Sequence, residues 1–209
     1  MCAFPHHAME QICRRTFTQK IILADVNIPY KFSLDRSRDN LFFCINADEF
    51  SEQSFHSVIL ELNDGSTAIV PGIRNGFASA IDQTTGSVYL GGSDDTATQH
   101  LHVYKNNKVA IIPELKEHEI LHFAIDADNN IIFVNTAGLY ILHKAQDGIY
   151  KIGDNKKLVN TLLLENGYGL AFDKDNNIVY SNERTVNMLI PYENSRGLPY
   201  QCNAKISTI

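Results

Sequence analysis

Apolar and polar positions along this chain fall into a unit that recurs four times: an apolar stretch, an Asp, a short polar turn and a second apolar stretch. The copies read YKFSLDRSRDNLFFCIN, FASAIDQTTGSVYLGG, HFAIDADNNIIFVN and GLAFDKDNNIVYSN. Their anchoring residues Asp35, Asp82, Asp126 and Asp173 lie 47, 44 and 47 residues apart. Self-similarity at such a period signals a repeat architecture. Each copy predicts a β-hairpin, because Asp39-Asn40, Thr85-Gly86, Asn129-Asn130 and Asn176-Asn177 supply residues that tolerate positive φ or bond their own backbone. The repeated Asp is read as structural, capping the turn that follows it.

Two more strand-like segments follow each hairpin, such as HLHVYK and KVAIIPEL around Asn106-Asn107, and GLYILHK and GIYKIG further on. No segment carries a convincing 3.6-residue period. Four strands in about 45 residues is the pattern of a propeller blade. The expected fold is therefore all-β and β-propeller-like, with four recognisable four-stranded blades. Two residues before each Asp stand small residues, Ser33, Ala80, Ala124 and Ala171, and one before it large ones, Leu34, Ile81, Ile125 and Phe172. That alternation suits a crowded inner strand. Four blades either close a ring by themselves or form a shortened version of a larger ring. Residues 1–18 read as an N-terminal tail and 19–209 as one domain, with blades starting near 28, 75, 119 and 166. The run KIILADV, residues 20–26, is expected as a further strand that completes the last sheet, whose own outer strand is otherwise AKISTI.

Composition narrows the function classes. The chain has 209 residues, 44% hydrophobic and 20% charged, with a net charge of −6. No basic cluster points to nucleic acid, and no apolar run approaches the length of a membrane span. Pro5, His6, His7 and Glu10 interrupt the N-terminal stretch, so it shows no secretory h-region. Cys2, Cys13, Cys44 and Cys202 make no zinc spacing. Cys44 reads as a small buried hydrophobe. Cys13 and Cys202 flank the strands, and a closed ring brings them into disulfide reach in an exported chain; four free thiols are the alternative. His100 and His102 share a strand face that suits a metal, with no third ligand in view, and otherwise read as surface histidines. No nucleophile or phosphate-loop motif is present.

The inner strands carry the candidate site. Seven residues before each Asp stand Ile28, Asn75, Glu119 and Asn166; five before stand Tyr30, Phe77, Leu121 and Tyr168. Asn75, Glu119 and Asn166 form an oxygen crown near one channel mouth, and Tyr30, Phe77 and Tyr168 a wall of rings, with His122 as a further polar neighbour. Such a surface suits a planar aromatic ligand. Asn-Gly is equally a turn pair, and inner-strand aromatics equally serve a core. In an alternative reading Asn75, Glu119 and Asn166 hold Ca²⁺. No other cofactor is expected.

The segments IILADVNIPYKFSLDRSRDNLFF, HFAIDADNNIIFVNTAGLYIL and NGYGLAFDKDNNIVYSNERTVNMLIPY resemble the insect ommochrome-binding proteins over residues 13–203. That resemblance implies non-enzymatic binding and transport of a small phenoxazinone pigment, and secretion into haemolymph. Members carry a signal peptide and are somewhat longer, and this chain departs on both counts. More distantly the blades resemble gluconolactonase-like calcium hydrolases, which implies a metal-dependent hydrolase as the alternative, with Glu119 as its ionisable group. A protein-interaction propeller is the third reading.

Overall fold

The computed structural model describes residues 19–46, 55–93, 97–144, 150–160, 169–181, 185–190 and 205–208. Among the described residues sixteen strands build four antiparallel sheets, each from consecutive segments of the chain. The first sheet holds β1 (Tyr30–Asp35), β2 (Asn40–Asn46), β3 (Phe55–Glu61) and β4 (Thr67–Ile69). The second holds β5 (Arg74–Asp82), β6 (Ser87–Ser93), β7 (Gln99–Lys105) and β8 (Lys108–Ile111). The third holds β9 (His122–Ile125), β10 (Ile131–Asn135), β11 (Gly138–Lys144) and β12 (Tyr150–Asn160). The fourth holds β13 (Leu170–Phe172), β14 (Ile178–Ser181), β15 (Val186–Ile190) and β16 (Lys205–Thr208). Among the described residues the one helical element is a 3-10 turn at Pro113–Leu115, and no helix is long and apolar enough to cross a membrane. The fold is an all-β propeller, as the repeat predicts.

The turn chemistry behaves as its residue types dictate. Asp35 Oδ1 accepts the backbone N–H groups of Ser37 and Arg38 at 3.0 and 3.3 Å. Asp82 Oδ1 does the same for Thr84 and Thr85, Asp126 Oδ1 for Asp128 and Asn130, and Asp173 Oδ1 for Asp175 and Asn177. One carboxylate per blade thus satisfies two turn amides that the ladder leaves unpaired. The chain reverses through positive φ at Asp39, Gly86, Asn129 and Asn176, and the β7–β8 hairpin does so at Asn106 and Asn107.

Successive sheets stack face to face. Phe42, Ile59, Val70, Ile73, Val88 and Leu90 join the first blade to the second. Tyr89, Leu101, Leu115, Ile120, Phe123, Ile131, Phe133 and Leu142 join the second to the third. Ile132, Val134, Leu139, Ile141, Ile178, Tyr180 and Leu189 join the third to the fourth. Each such side chain contributes about 1.5–3 kcal/mol by leaving water, so these seams carry most of the stability. Phe77 passes directly over Gly91, where a Cβ would run into its ring. Large apolar side chains stay exposed on the first and last blades, Ile69 on the first and Val186 and Ile190 on the fourth.

Polar ties run parallel to the seams. Gln83 accepts from the Arg36 amide and donates to the Leu34 carbonyl, and Arg38 Nη1 reaches the Gly86 carbonyl at 2.9 Å. Asn176 accepts from the Ala127 amide and donates to Asp128. Between the second and third blades Lys144 Nζ lies 2.5 Å from Asp82 Oδ2, with the Asp82 side chain fully buried.

Two expectations are corrected. Residues 20–26 are not a strand: Leu23 and Val26 pack on Phe43, Val58 and Leu60 of the first sheet, so hydrophobic cover replaces hydrogen-bonded pairing. The last sheet is completed instead by β16, which pairs with β15. His100 and His102 are buried rather than on the surface, with ring centroids 6.3 Å apart, because β7 is sandwiched inside its blade. The N-terminal tail, Cys13 and Cys202 lie outside the described residues; Cys44 is buried, and burial pushes its thiol up to about 11. The described blades start at Tyr30, Arg74, His122 and Leu170.

Candidate functional site

The inner strands β1, β5, β9 and β13 surround one cavity of about 580 Å³. Within the range of small-molecule sites, this volume holds a ligand of a few fused rings. The four small residues two positions before the turn aspartates, Ser33, Ala80, Ala124 and Ala171, all line it. Their missing bulk is what leaves the channel open. Phe32, Phe123 and Phe172 add aromatic surface, and Ser79 and Gln83 add hydrogen-bonding groups.

The inner strands meet across this channel through side chains, because their free edges are not paired with one another. Ser33 Oγ donates to the Ser79 carbonyl at 2.7 Å, and Ser79 Oγ donates to the Lys31 carbonyl at 3.3 Å. β1 carries a register shift between Tyr30 and Ser33, and Lys31 sits there at φ 56°. A lysine in the left-handed region costs about 1–3 kcal/mol, which the surrounding structure must offset. Asn75 occupies the matching irregularity in β5, at φ 48°.

The ionisable side chains in the described lining are Lys31, Arg36 and His122, all basic or neutral, with no Asp or Glu among them. Lys31 and His122 share one end of the channel; Arg36 and Gln83 lie five strand positions further along. Burial holds the His122 imidazolium below its ordinary range, and the Lys31 charge pushes it further in the same direction.

His122 is the sequence-predicted site residue that lines the cavity. Tyr30 turns into the seam between the first two blades: its hydroxyl donates to the Gly76 carbonyl at 2.8 Å and its ring meets Phe55 edge-on. Phe77 packs into the seam between the second and third blades, edge-on to Phe123 at 6.4 Å. Asn75 Nδ2 lies 3.4 Å from Ser93 Oγ. Glu119 is exposed and precedes β9. Asn166 and Tyr168 lie outside the described residues. Among the described residues no group of three or more His, Cys, Asp or Glu gathers as a metal cluster. Lys31 and Arg36 are lining residues that counting from the aspartates misses; the one signal for them is basic charge on an inner strand of an acidic chain.

No described protein-family pattern matches the chain. It is 23% identical over 243 residues to the ommochrome-binding protein of Manduca sexta, covering 85% of this chain and 89% of that protein. Among solved structures it is similar to nidogen in a nidogen/laminin complex (TM-score 0.57, 12% identity, 78% of this chain and 61% of that one). It is similar also to a gluconolactonase of Xanthomonas campestris (TM-score 0.54, 10% identity, 78% and 57%) and to a streptogramin B lyase (TM-score 0.51, 11% identity, 88% and 55%). The chain thus spans between 55% and 61% of the length of these three structures. In fold this chain is a β-propeller, and in sequence it resembles the ommochrome-binding protein of Manduca sexta.

Proposed function

We propose that the central channel binds a small planar aromatic pigment of the ommochrome class and carries it without transforming it. The observation that carries this reading is the cavity itself, with four small residues clearing its middle and phenylalanine rings along its walls. Flat conjugated ligands gain from such surfaces by area burial and by about 0.5–1.5 kcal/mol for each well-placed ring contact. The name of the Manduca relative supports the ligand class. The same resemblance extends the proposal to a carrier that works in haemolymph.

The hydrolase alternative needs a cation and a group to activate water over it. The described lining offers Lys31, Arg36 and His122 and no carboxylate, which favours the carrier. An absorbance titration with an ommochrome tests the reading. The expected result is a saturable spectral shift that Ala124→Phe and Ser33→Phe, each filling the channel, abolish while the far-ultraviolet circular dichroism stays unchanged. A folded protein that shifts no spectrum, or filled variants that bind as tightly as the parent, would overturn it.

A further inference from the structure

We infer that the channel selects an organic anion, and that Lys31 is the residue that selects it, seating a carboxylate or similar acid group at the mouth it shares with His122. The inference rests on the reading of the cavity as the binding site. It deepens that reading by naming the charge of the ligand and the residue that reads it.

Three observations converge. First, the protein carries a net charge of −6, yet the charged side chains in the described lining of the cavity between the four inner strands are basic. The turn acids Asp35, Asp82, Asp126 and Asp173 do not line it and are occupied by the turn amides they cap. Second, Lys31 is held in a strained backbone conformation at an irregularity of β1, and its carbonyl is fixed by Ser79. Bulges next to functional sites re-aim a side chain, and strained residues concentrate where a ligand needs them. Third, Lys31 and His122 both line this cavity, so two groups able to carry positive charge converge on the same space; burial first and the Lys31 charge second disfavour the His122 imidazolium. Glu119, on the approach to β9, is exposed and does not line the cavity. An anion between Lys31 and His122 turns mutual repulsion into two attractions, and charge-assisted hydrogen bonds are the strong ones. The apolar body of the ligand then lies along Ala80, Ala124 and Ala171.

The orientation follows. The acid group stays at the Lys31 mouth, where water still reaches it, and the flat body goes inward. Arg36 and Gln83, at the far end, meet whatever polar group the other edge of the ligand carries.

The test uses a matched pair of probes, 1-naphthoate and uncharged 1-naphthamide, titrated calorimetrically into the whole protein at low and at physiological salt. Naphthoate should bind about tenfold more tightly than naphthamide, the size of one hydrogen bond to a charged group. Lys31→Met should erase that preference, and Lys31→Arg should keep it. Naphthoate affinity should rise as the pH is lowered from 7.5 to 5.5, since the bound anion favours the His122 imidazolium, and His122→Asn should flatten that profile. Equal binding of both probes, or a preference that survives Lys31→Met, overturns the inference. If the pigment binds and Lys31→Met leaves its affinity untouched, the carrier reading stands and this inference falls. If naphthoate is preferred through Lys31 but no pigment binds, the reverse holds.

Discussion

Replacing Lys144 by Met exposes how the second and third blades are tied. The ammonium sits 2.5 Å from Asp82 Oδ2; its side chain is 10% exposed and that of Asp82 is 0% exposed. Methionine keeps the length and most of the volume, so the packing is little changed. What remains is a buried carboxylate without its cation, still held by Thr84 N, Thr85 N and Thr85 Oγ1. Removing one partner of a buried pair costs about 3–5 kcal/mol, and these three remaining donors place the loss near the lower end, about 3 kcal/mol. The pH dependence has a definite sign. In the parent, burial raises the Asp82 value, but the bonds from Lys144 and Thr85 outweigh it and hold the carboxyl below its ordinary range. Its contribution is therefore present above the ordinary carboxylate range and lost as pH falls through the lower folded value. In the variant the largest lowering cause is gone while burial remains, so the folded value rises relative to the parent and the variant gains on the parent upon acidification. The gap should thus be widest at pH 7 and narrow toward pH 5. Urea unfolding followed by tyrosine fluorescence at both pH values measures it, with Asp82→Asn/Lys144→Met completing the cycle and recovering at least half the loss. A deficit below about 1 kcal/mol, equal at both pH values, would mean that the pair behaves as an exposed surface bridge and the reasoning is wrong.

Gly91→Ala should destabilise by about 1–3 kcal/mol, because its Cβ would enter the Phe77 ring, and Phe77→Leu in the same chain should restore part of that; a neutral Gly91→Ala in thermal unfolding contradicts the packing. Tyr30→Phe should cost about 0.5–1.5 kcal/mol through the lost bond to the Gly76 carbonyl, while leaving pigment affinity unchanged. A pigment titration in which this variant binds severalfold more weakly, with stability intact, would return Tyr30 to the ligand.

The local part of this fold is written plainly in the sequence. An Asp followed by a positive-φ residue three or four positions on specifies a capped reversal whatever surrounds it, so the hairpins at Asp35, Asp82, Asp126 and Asp173 follow from turn chemistry alone. The small residues at Ser33, Ala80, Ala124 and Ala171 were legible for the same reason, since each sits a fixed two steps from its turn. Beyond that distance the counting fails. β1 and β5 each slip register near their starts, at Tyr30–Ser33 and Arg74–Ala78. Alternation counted through an irregularity assigns the wrong face. Tyr30 and Phe77 accordingly turn into the seams, and Lys31 lines the channel. Residues 20–26 mislead differently. Their apolar pattern marks burial, and burial against Phe43 and Val58 satisfies it without a strand partner. His100 and His102 carry no sequence mark that separates a sandwiched strand from an exposed one.

Among the described residues every sheet is assembled from four neighbouring stretches of chain, and none borrows a strand from another. Such a unit can form its own hydrogen-bond ladder before any distant segment arrives, so loop-closure entropy stays small and the contacts that guide folding are local in sequence. The blade is then also the natural unit of inheritance. Copying or deleting one whole period leaves every turn, every capping carboxylate and both packing faces intact, whereas gaining or losing a single residue inside an inner strand reverses which side chains look into the channel. Length variation in this architecture should therefore come in steps of a blade or fall in the loops, and the capacity of the channel, set by how many inner strands surround it, should change in the same discrete steps.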